Sequence, residues 1–258
     1  MLTSLNNTRI KRVAELSKKA DARKADDVFI VEGIKMFQEA PTERIRECYV
    51  TEAFFDKCGC REKLEKCGYE LVSEAVFHKI SDTRTPQGIL CVVRQYHYQL
   101  ETLLQKEAPL LVILEGLQDP GNLGTIVRTG EGAGIDGVIM SKNTVDIYNP
   151  KTIRATMGSI YRVPFLYAED LPQVILKLRD KQIRTFAAHL QGKEYYDVQE
   201  MKEGCAFLIG NEGNGLSKEI AGLAEKYIKI PMLGQVESLN AAVAAAILMY
   251  EAAAKRRA

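Results

Sequence analysis

Three loops rich in Gly, Asn and Pro constrain the fold of this chain more than any other feature. They read Asp119-Pro120-Gly121-Asn122-Leu123-Gly124-Thr125-Ile126-Val127-Arg128, Ile209-Gly210-Asn211-Glu212-Gly213-Asn214-Gly215-Leu216 and Ile230-Pro231-Met232-Leu233-Gly234-Gln235-Val236-Glu237-Ser238-Leu239-Asn240. Each follows an apolar run short enough for a strand, at 110–114, 205–209 and 226–230. Each opens into a helical pattern, at 122–133, 216–223 and 238–254. Further strands are expected at 137–140, 163–166 and 184–188, and further helices at 149–157 and 170–180. Such alternation predicts an α/β domain with a mostly parallel sheet and helices on both faces. Ligands bind such a sheet at the carboxyl ends of its strands, where these loops lie.

The first hundred residues read differently, as a small α/β unit. Residues 4–24 form a basic amphipathic pattern and predict one helix. Strands are expected at 28–31, 47–50, 69–72 and 89–93, with helices at 33–40, 59–67 and 73–80 between them. The stretch 95–108 is polar, lacks a period and ends before Pro109, with a short helix at 99–106 as an option within it. This predicts a small domain over 1–96, a linker over 97–108 and a larger domain over 109–258.

Charge and cysteine content narrow the function classes. Net charge is +1, so nucleic-acid binding must come from local patches. Arg9, Lys11, Arg12, Lys18, Lys19, Arg23 and Lys24 form one such patch, or else a solvated helix face. The first residues are too polar for a secretory signal, and no apolar run reaches membrane-spanning length, so a cytoplasmic protein is expected. Cys58, Cys60, Cys67 and His78 invite a zinc reading but lack paired C-x₂-C knuckles. Reduced thiols, several buried as small hydrophobes, are expected, with no metal site.

The loops exclude common nucleotide motifs. No Gly-Lys-Ser/Thr closes the second loop, and its glycines do not fit G-x-G-x-x-G. Glu212 is a poor neighbour for phosphate, which favours a neutral or cationic cofactor. Asn122 is placed as a helix N-cap, with Arg128 in the second turn either as a plain surface side chain or facing a phosphate or an oxygen nucleophile. Ser238 is either a plain N-cap or a site residue. Small, apolar residues fill the helix from Leu239 to Met249, which suits either a core helix or one shared between two subunits.

Asn122-x-Gly124-x-x-x-Arg128, Gly210-Asn211-Glu212-x-x-Gly215-Leu216 and Ile230-Pro231-Met232-x-Gly234-x-x-x-Ser238-Leu239-Asn240 resemble the three motifs of the SpoU family. These are RNA ribose 2′-O-methyltransferases of the SPOUT superfamily. The resemblance covers about 109–254; the small polar residue usual after Ser-Leu-Asn is Ala242 here. Asn6-Asn7, Arg9–Arg12, Phe29-x-Val31-Glu32-Gly33 and Thr85-Pro86-Gln87-Gly88 are similar to the RNA-binding domain of members acting on ribosomal RNA. The resemblance implies a catalytic sheet threaded into a trefoil knot, a homodimer with its site at the interface, and S-adenosylmethionine as cofactor. It implies cofactor contacts at Gly210, Asn211, Gly215, Ile230, Pro231, Met232 and Leu239. It also implies activation of the ribose hydroxyl by Arg128, with Asn122, Glu212, Ser238 and Asn240 positioning nucleotide and cofactor. Ribosomal RNA is the expected substrate. Transfer RNA, a non-catalytic RNA-binding or assembly role, and a dinucleotide-dependent oxidoreductase are the alternatives.

Overall fold

A computed structural model describes residues 1–190, 192, 194–195 and 199–257. The first elements in chain order are α1 (Thr8–Lys18), α2 (Ala20–Asp26), β1 (Val28–Glu32), α3 (Ile34–Glu39), β2 (Ile45–Val50), α4 (Glu52–Lys57), α5 (Arg61–Cys67), β3 (Glu70–Leu71), α6 (Glu74–Ile80) and β4 (Ile89–Arg94). The next are α7 (Leu100–Leu103), β5 (Leu110–Leu114), α8 (Pro120–Ala133), β6 (Gly137–Ser141), α9 (Pro150–Thr156), β7 (Phe165–Ala168), α10 (Leu171–Asp180) and β8 (Arg184–Ala188). Then follow β9 (Glu194–Tyr195), β10 (Cys205–Ile209), α11 (Lys218–Leu223), β11 (Lys226–Lys229) and α12 (Ala241–Arg257).

The chain divides into two compact units, Met1–Tyr96 with Asp146–Tyr161, and His97–Val145 with Arg162–Ala258. The first unit holds a mixed sheet in the order β1-β4-β2-β3. β4 runs antiparallel to both β1 and β2, while β2 and β3 are parallel. Ile10, Val13, Leu16, Tyr49, Val76, Phe77 and Leu90 form its core with residues of β1. The expected single helix over 4–24 is broken at Lys19, which is extended at φ −114°. α1 starts where the Asn7 side chain accepts from the Arg9 amide, and α2 stops at Asp27 in the left-handed region. The break turns Ala22 and Arg23 inward.

Much of the basic patch is neutralised locally. Arg12 is bound by Asp26 and Glu15, Arg9 by Glu70, and Lys19 by Glu15. Cys48, Cys60 and Cys91 are buried in this unit, and Cys205 lies buried in the other. Among the described residues no three His, Cys, Asp or Glu side chains gather as a metal site. No helix among them is long and apolar enough to cross a membrane.

The segment Asp146–Tyr161 departs from the expected division, because it joins the first unit although 109–258 reads as one domain. The Arg23 guanidinium, only 3% exposed, donates to Asp146 Oδ2 at 2.5 Å and to the Leu16 carbonyl at 2.7 Å. The Tyr148 hydroxyl accepts from the Tyr96 amide at 2.6 Å and donates to the Tyr96 carbonyl at 3.0 Å. The Tyr148 ring stacks on Phe29, and the Tyr161 hydroxyl donates to the Met36 carbonyl.

The second unit holds a seven-stranded sheet in the order β7-β6-β5-β10-β8-β11-β9, with every neighbouring pair parallel. Its central strands β5, β6 and β10 are near-continuous apolar runs buried throughout, as parallel strands covered on both faces must be, whereas β11 towards the edge reads Lys-Tyr-Ile-Lys. Leu103 of α7, inside the expected linker, is fully buried in this unit's core with Leu111, Ile139 and Leu178.

Asp146→Ala would leave a buried guanidinium without its counter-charge. Thermal denaturation should show a loss of about 2–4 kcal/mol. A shift within the error of the wild type would mean that this pair does not hold the returning segment.

Candidate functional site

The sheet fixes where the three loops leave. Ile209 pairs with Leu114 at the ends of β10 and β5, so the loops that follow depart side by side. The Glu115 amide continues the ladder to the Ile209 carbonyl at 2.9 Å.

The first loop turns into α8 at Asp119, whose side chain accepts from the Asn122 amide at 2.8 Å. Asp119 is therefore the N-cap, and Asn122 lies inside the first turn, correcting its expected place. Pro120 decides this: its fixed φ and missing N–H suit the first helical position, so the cap is the residue before it. Asn122 is thereby freed to use its amide side chain elsewhere.

That side chain joins the three loops. Asn240 Nδ2 donates to Asn122 Oδ1 at 3.0 Å, and Asn122 Nδ2 donates to Glu212 Oε1 at 3.0 Å. Glu212 also accepts from the Asp119 amide at 2.9 Å and the Gln118 amide at 3.0 Å. Partial burial pushes the Glu212 carboxyl up, but these backbone donors and Asn122 outweigh it and hold the group below its ordinary range. Glu212 is thus a committed anion at neutral pH, a positioning group and a weak base.

The second loop closes on itself. Asn211 and Gly215 exchange backbone hydrogen bonds at 2.9 and 3.0 Å, and Asn211 Oδ1 accepts from the Gly213 and Asn214 amides. Asn211 Nδ2 donates to the Gly116 carbonyl at 2.8 Å, tying this loop to the first. Gly210 is required by the closure itself: a Cβ there would lie 2.0 Å from the Gly215 carbonyl carbon. Gly215 sits at φ +68°, where side chains are strained.

The third loop ends in α12. Asn240 Oδ1 accepts from the Ala242 and Val243 amides at 2.9 and 3.3 Å, so Asn240 is the cap and Ser238 is not. Ser238 is exposed and outside the hydrogen-bond chain. Among the described residues, the backbone from Ile230 to Leu239 makes no hydrogen bond, leaving its donors and acceptors open. Ile230, Pro231, Met232 and Leu239 are half-buried there, while Leu233 is fully exposed. Half-buried apolar side chains beside open peptide groups suit a flat heteroaromatic ring. A carboxylate with no phosphate cradle nearby suits a cationic sulfonium. The donor set therefore fits S-adenosylmethionine.

Arg128 stands apart. It lies in the third turn of α8, exposed and without a hydrogen bond or ion pair among the described residues. Six residues separate it from Asn122, roughly 120° around the helix at about 100° per residue. Gln118 is a further residue of this junction that the motif pattern does not mark. Its Nε2 donates to the Gly116 and Asn143 carbonyls at 2.9 and 2.8 Å, pinning the first loop against the turn after β6. A lone Gln before Asp-Pro carries no sequence signal for this.

Two substitutions test the joined loops. Gly210→Ala should disorder the second loop and lower the melting temperature, because backbone rather than a flexible side chain blocks the space. Glu212→Gln should lower it at neutral pH. The carboxyl is depressed in the fold, so its contribution is present above the ordinary carboxylate range and is lost as pH falls through the folded value. The difference between wild type and Glu212→Gln in melting scans should close in acid; a difference independent of pH would contradict an ionised Glu212.

Residues 109–250 match the model of the SpoU rRNA Methylase family, and residues 7–91 match an MRM3-like substrate binding domain. The chain is 32% identical over 253 residues to the 23S rRNA (guanosine(2553)-2′-O)-methyltransferase RlmP of Bacillus subtilis, covering 96% of this chain and 97% of that protein. An AdoMet-bound rRNA methyltransferase from Sinorhizobium meliloti superposes with TM-score 0.85 at 30% identity, over 97% of this chain and 96% of that one. The SpoU methyltransferase AviRb from Streptomyces viridochromogenes superposes with TM-score 0.86 at 25% identity, over 97% and 98%. With the family model matched over residues 109–250 and the relative matched along nearly its whole length, the chain belongs to the SpoU family of rRNA methylases.

Proposed function

We infer that this protein methylates a ribose 2′-hydroxyl of ribosomal RNA in the cytoplasm, with S-adenosylmethionine as methyl donor. The observation that carries the reading is the Asn240–Asn122–Glu212 chain, which draws the three motif loops to one place. When bound, the cofactor supplies an electrophilic methyl on a sulfonium. Ile230, Pro231, Met232 and Leu239 would hold its adenosine part against the third loop, with Gly210, Asn211 and Gly215 shaping the opposite wall.

The chain's own residues must align the hydroxyl and manage its proton. Glu212 is a poor base, since three donors hold it ionised. Arg128 carries a guanidinium, a cationic donor with no acceptor, so it stabilises the developing alkoxide and orients a neighbouring RNA phosphate, which can take the proton. Asn122, Asn240 and Ser238 position the nucleotide. Much of the acceleration in such a transfer comes from alignment of oxygen, methyl and sulfur.

A second copy completes the site in this reading. α12 buries Ala242, Ala245, Leu248, Met249 and Ala252 against its own unit, while Val243 and Tyr250 remain 47% and 46% exposed on another face. Ile247 lies between them at helical spacing. That apolar stripe supports a homodimer, and the unpaired Arg128 suits a site shared across it. The expected knot also belongs here: α12 returns from β11, near one edge of the sheet, to pack on α8, β5 and β10.

Arg128→Ala should keep fold and cofactor affinity yet lower single-turnover methylation of unmodified rRNA about 10²- to 10³-fold. Arg128→Lys should also be impaired, because an ammonium lacks the planar fork. Normal turnover in Arg128→Ala would overturn the assignment. S-adenosylmethionine at 100 times its dissociation constant should stabilise the protein by about 2.7 kcal/mol, and NAD should not. Val243→Glu with Tyr250→Glu should give a monomer by light scattering and lose activity with it; an active monomer would exclude a shared site.

A further inference from the structure

The first unit carries a cleft that the methyl-transfer reading leaves unused. It has a volume of about 360 Å³ and is lined by Ile34, Phe54, Lys57, Glu74, Pro86 and Gln87, among others. One wall is the loop 81–88, which is irregular yet held at both ends. Glu32 accepts from the Ser81 hydroxyl at 2.7 Å, the Asp82 amide at 3.1 Å and the Thr83 hydroxyl at 2.6 Å. Arg154 of the returning segment donates to Asp82 at 2.9 Å. At the far end Gln87 Oε1 accepts from the Ile34 amide at 2.9 Å, and the Gly88 carbonyl accepts from the Thr51 amide at 2.9 Å. Gly88, at φ +82°, lets the loop press on α4: a Cβ there would lie 2.9 Å from Phe54 Cβ.

This bracing presents unused recognition groups. Arg84, Thr85 and Gln87 make no backbone hydrogen bond through their amides among the described residues. Gln87 Nε2, Lys57 and Arg84 have no partner there either. Phe54 is half-buried and has no ring partner among the described residues, whereas its neighbour Phe55 is stacked on Tyr69 and covered by Arg61. A planar apolar face, amide donors, one carboxylate in Glu74 and a flanking ammonium in Lys57 match a single unstacked nucleobase and its phosphate. A cleft built for phosphate alone would not carry Glu74, which can accept from an exocyclic amino group. The well-paired cations of α1 and α2 make a weaker RNA surface.

We propose that this cleft binds one flipped-out, amino-bearing nucleotide of the RNA substrate, so that the first unit reads an unpaired base rather than only backbone charge. The proposal rests on the RNA-substrate reading above. Gln87→Glu separates contact from structure, because it keeps the oxygen that accepts from the Ile34 amide and loses the amide donor. Lys57→Glu removes the cation from the cleft rim without touching the core.

Binding of unmodified rRNA would be measured by filter retention, S-adenosylmethionine binding by calorimetry, and methyl transfer under single turnover. Each variant should bind rRNA about tenfold more weakly than wild type, with unchanged cofactor affinity and unchanged melting temperature. The transfer rate at saturating RNA should be retained. Short oligoadenylate or oligocytidylate should compete for wild type and not for Gln87→Glu, whereas oligouridylate should compete poorly with both. If wild type transfers methyl to rRNA while both variants bind it normally, the cleft is not a base site. Equal competition by all three oligomers would mean that it holds backbone alone. If wild type transfers no methyl to rRNA, the functional reading itself fails, whatever the variants do.

Discussion

Parallel pairing of β5 with β10 is the constraint from which the site follows. Ninety residues, 115–204, separate these strands in the chain, yet their last residues, Leu114 and Ile209, are partners in register. Two loops distant in sequence therefore leave the sheet at the same height, a strand spacing apart. Asn122 and Glu212 can then meet at 3.0 Å, and Asn240 joins them from the head of α12. Both strands are buried on both faces, so a slip of one residue would exchange the side chains packed against each face and unseat the core; the packing that buries both strands also fixes the site.

The contacts of Glu212 show how a carboxylate can order a loop junction while its own proton affinity is kept low. Two backbone amides of the first loop and the Asn122 side chain direct their donors at it. The anion holds those donors in one arrangement, and its low proton affinity follows from the same contacts. Chemistry that needs a proton acceptor must find it elsewhere.

Much of this was legible in the sequence for physical reasons. Strands buried on both faces are continuous apolar runs, and loops that approach themselves closely must spend glycines, as Gly210 does. Asp119 and Asn122 are both good caps, and only the weight given to Pro120 separates them. Strand order is not written locally: nothing in 205–209 says that it lies between β5 and β8. Nor does Asp146 announce Arg23, because a polar residue before a helix reads as any other turn. The break at Lys19 was also hidden, since lysine favours helix and the inward turn of Ala22 and Arg23 that accompanies the break is a tertiary preference no local pattern carries.

The return of Asp146–Tyr161 to the first unit has a consequence for how such proteins are inherited. A module joined through one linker can be gained or lost by a single recombination event. Here the N-terminal unit is finished by sixteen residues encoded far downstream, including the carboxylate that neutralises its buried Arg23 and the ring that stacks on Phe29. A gene fragment ending near residue 96 would specify an incomplete core. The two units are thus bound to a common history, and substitutions in Tyr148 or Asp146 should track those in Tyr96 and Arg23 rather than those of their neighbours in sequence.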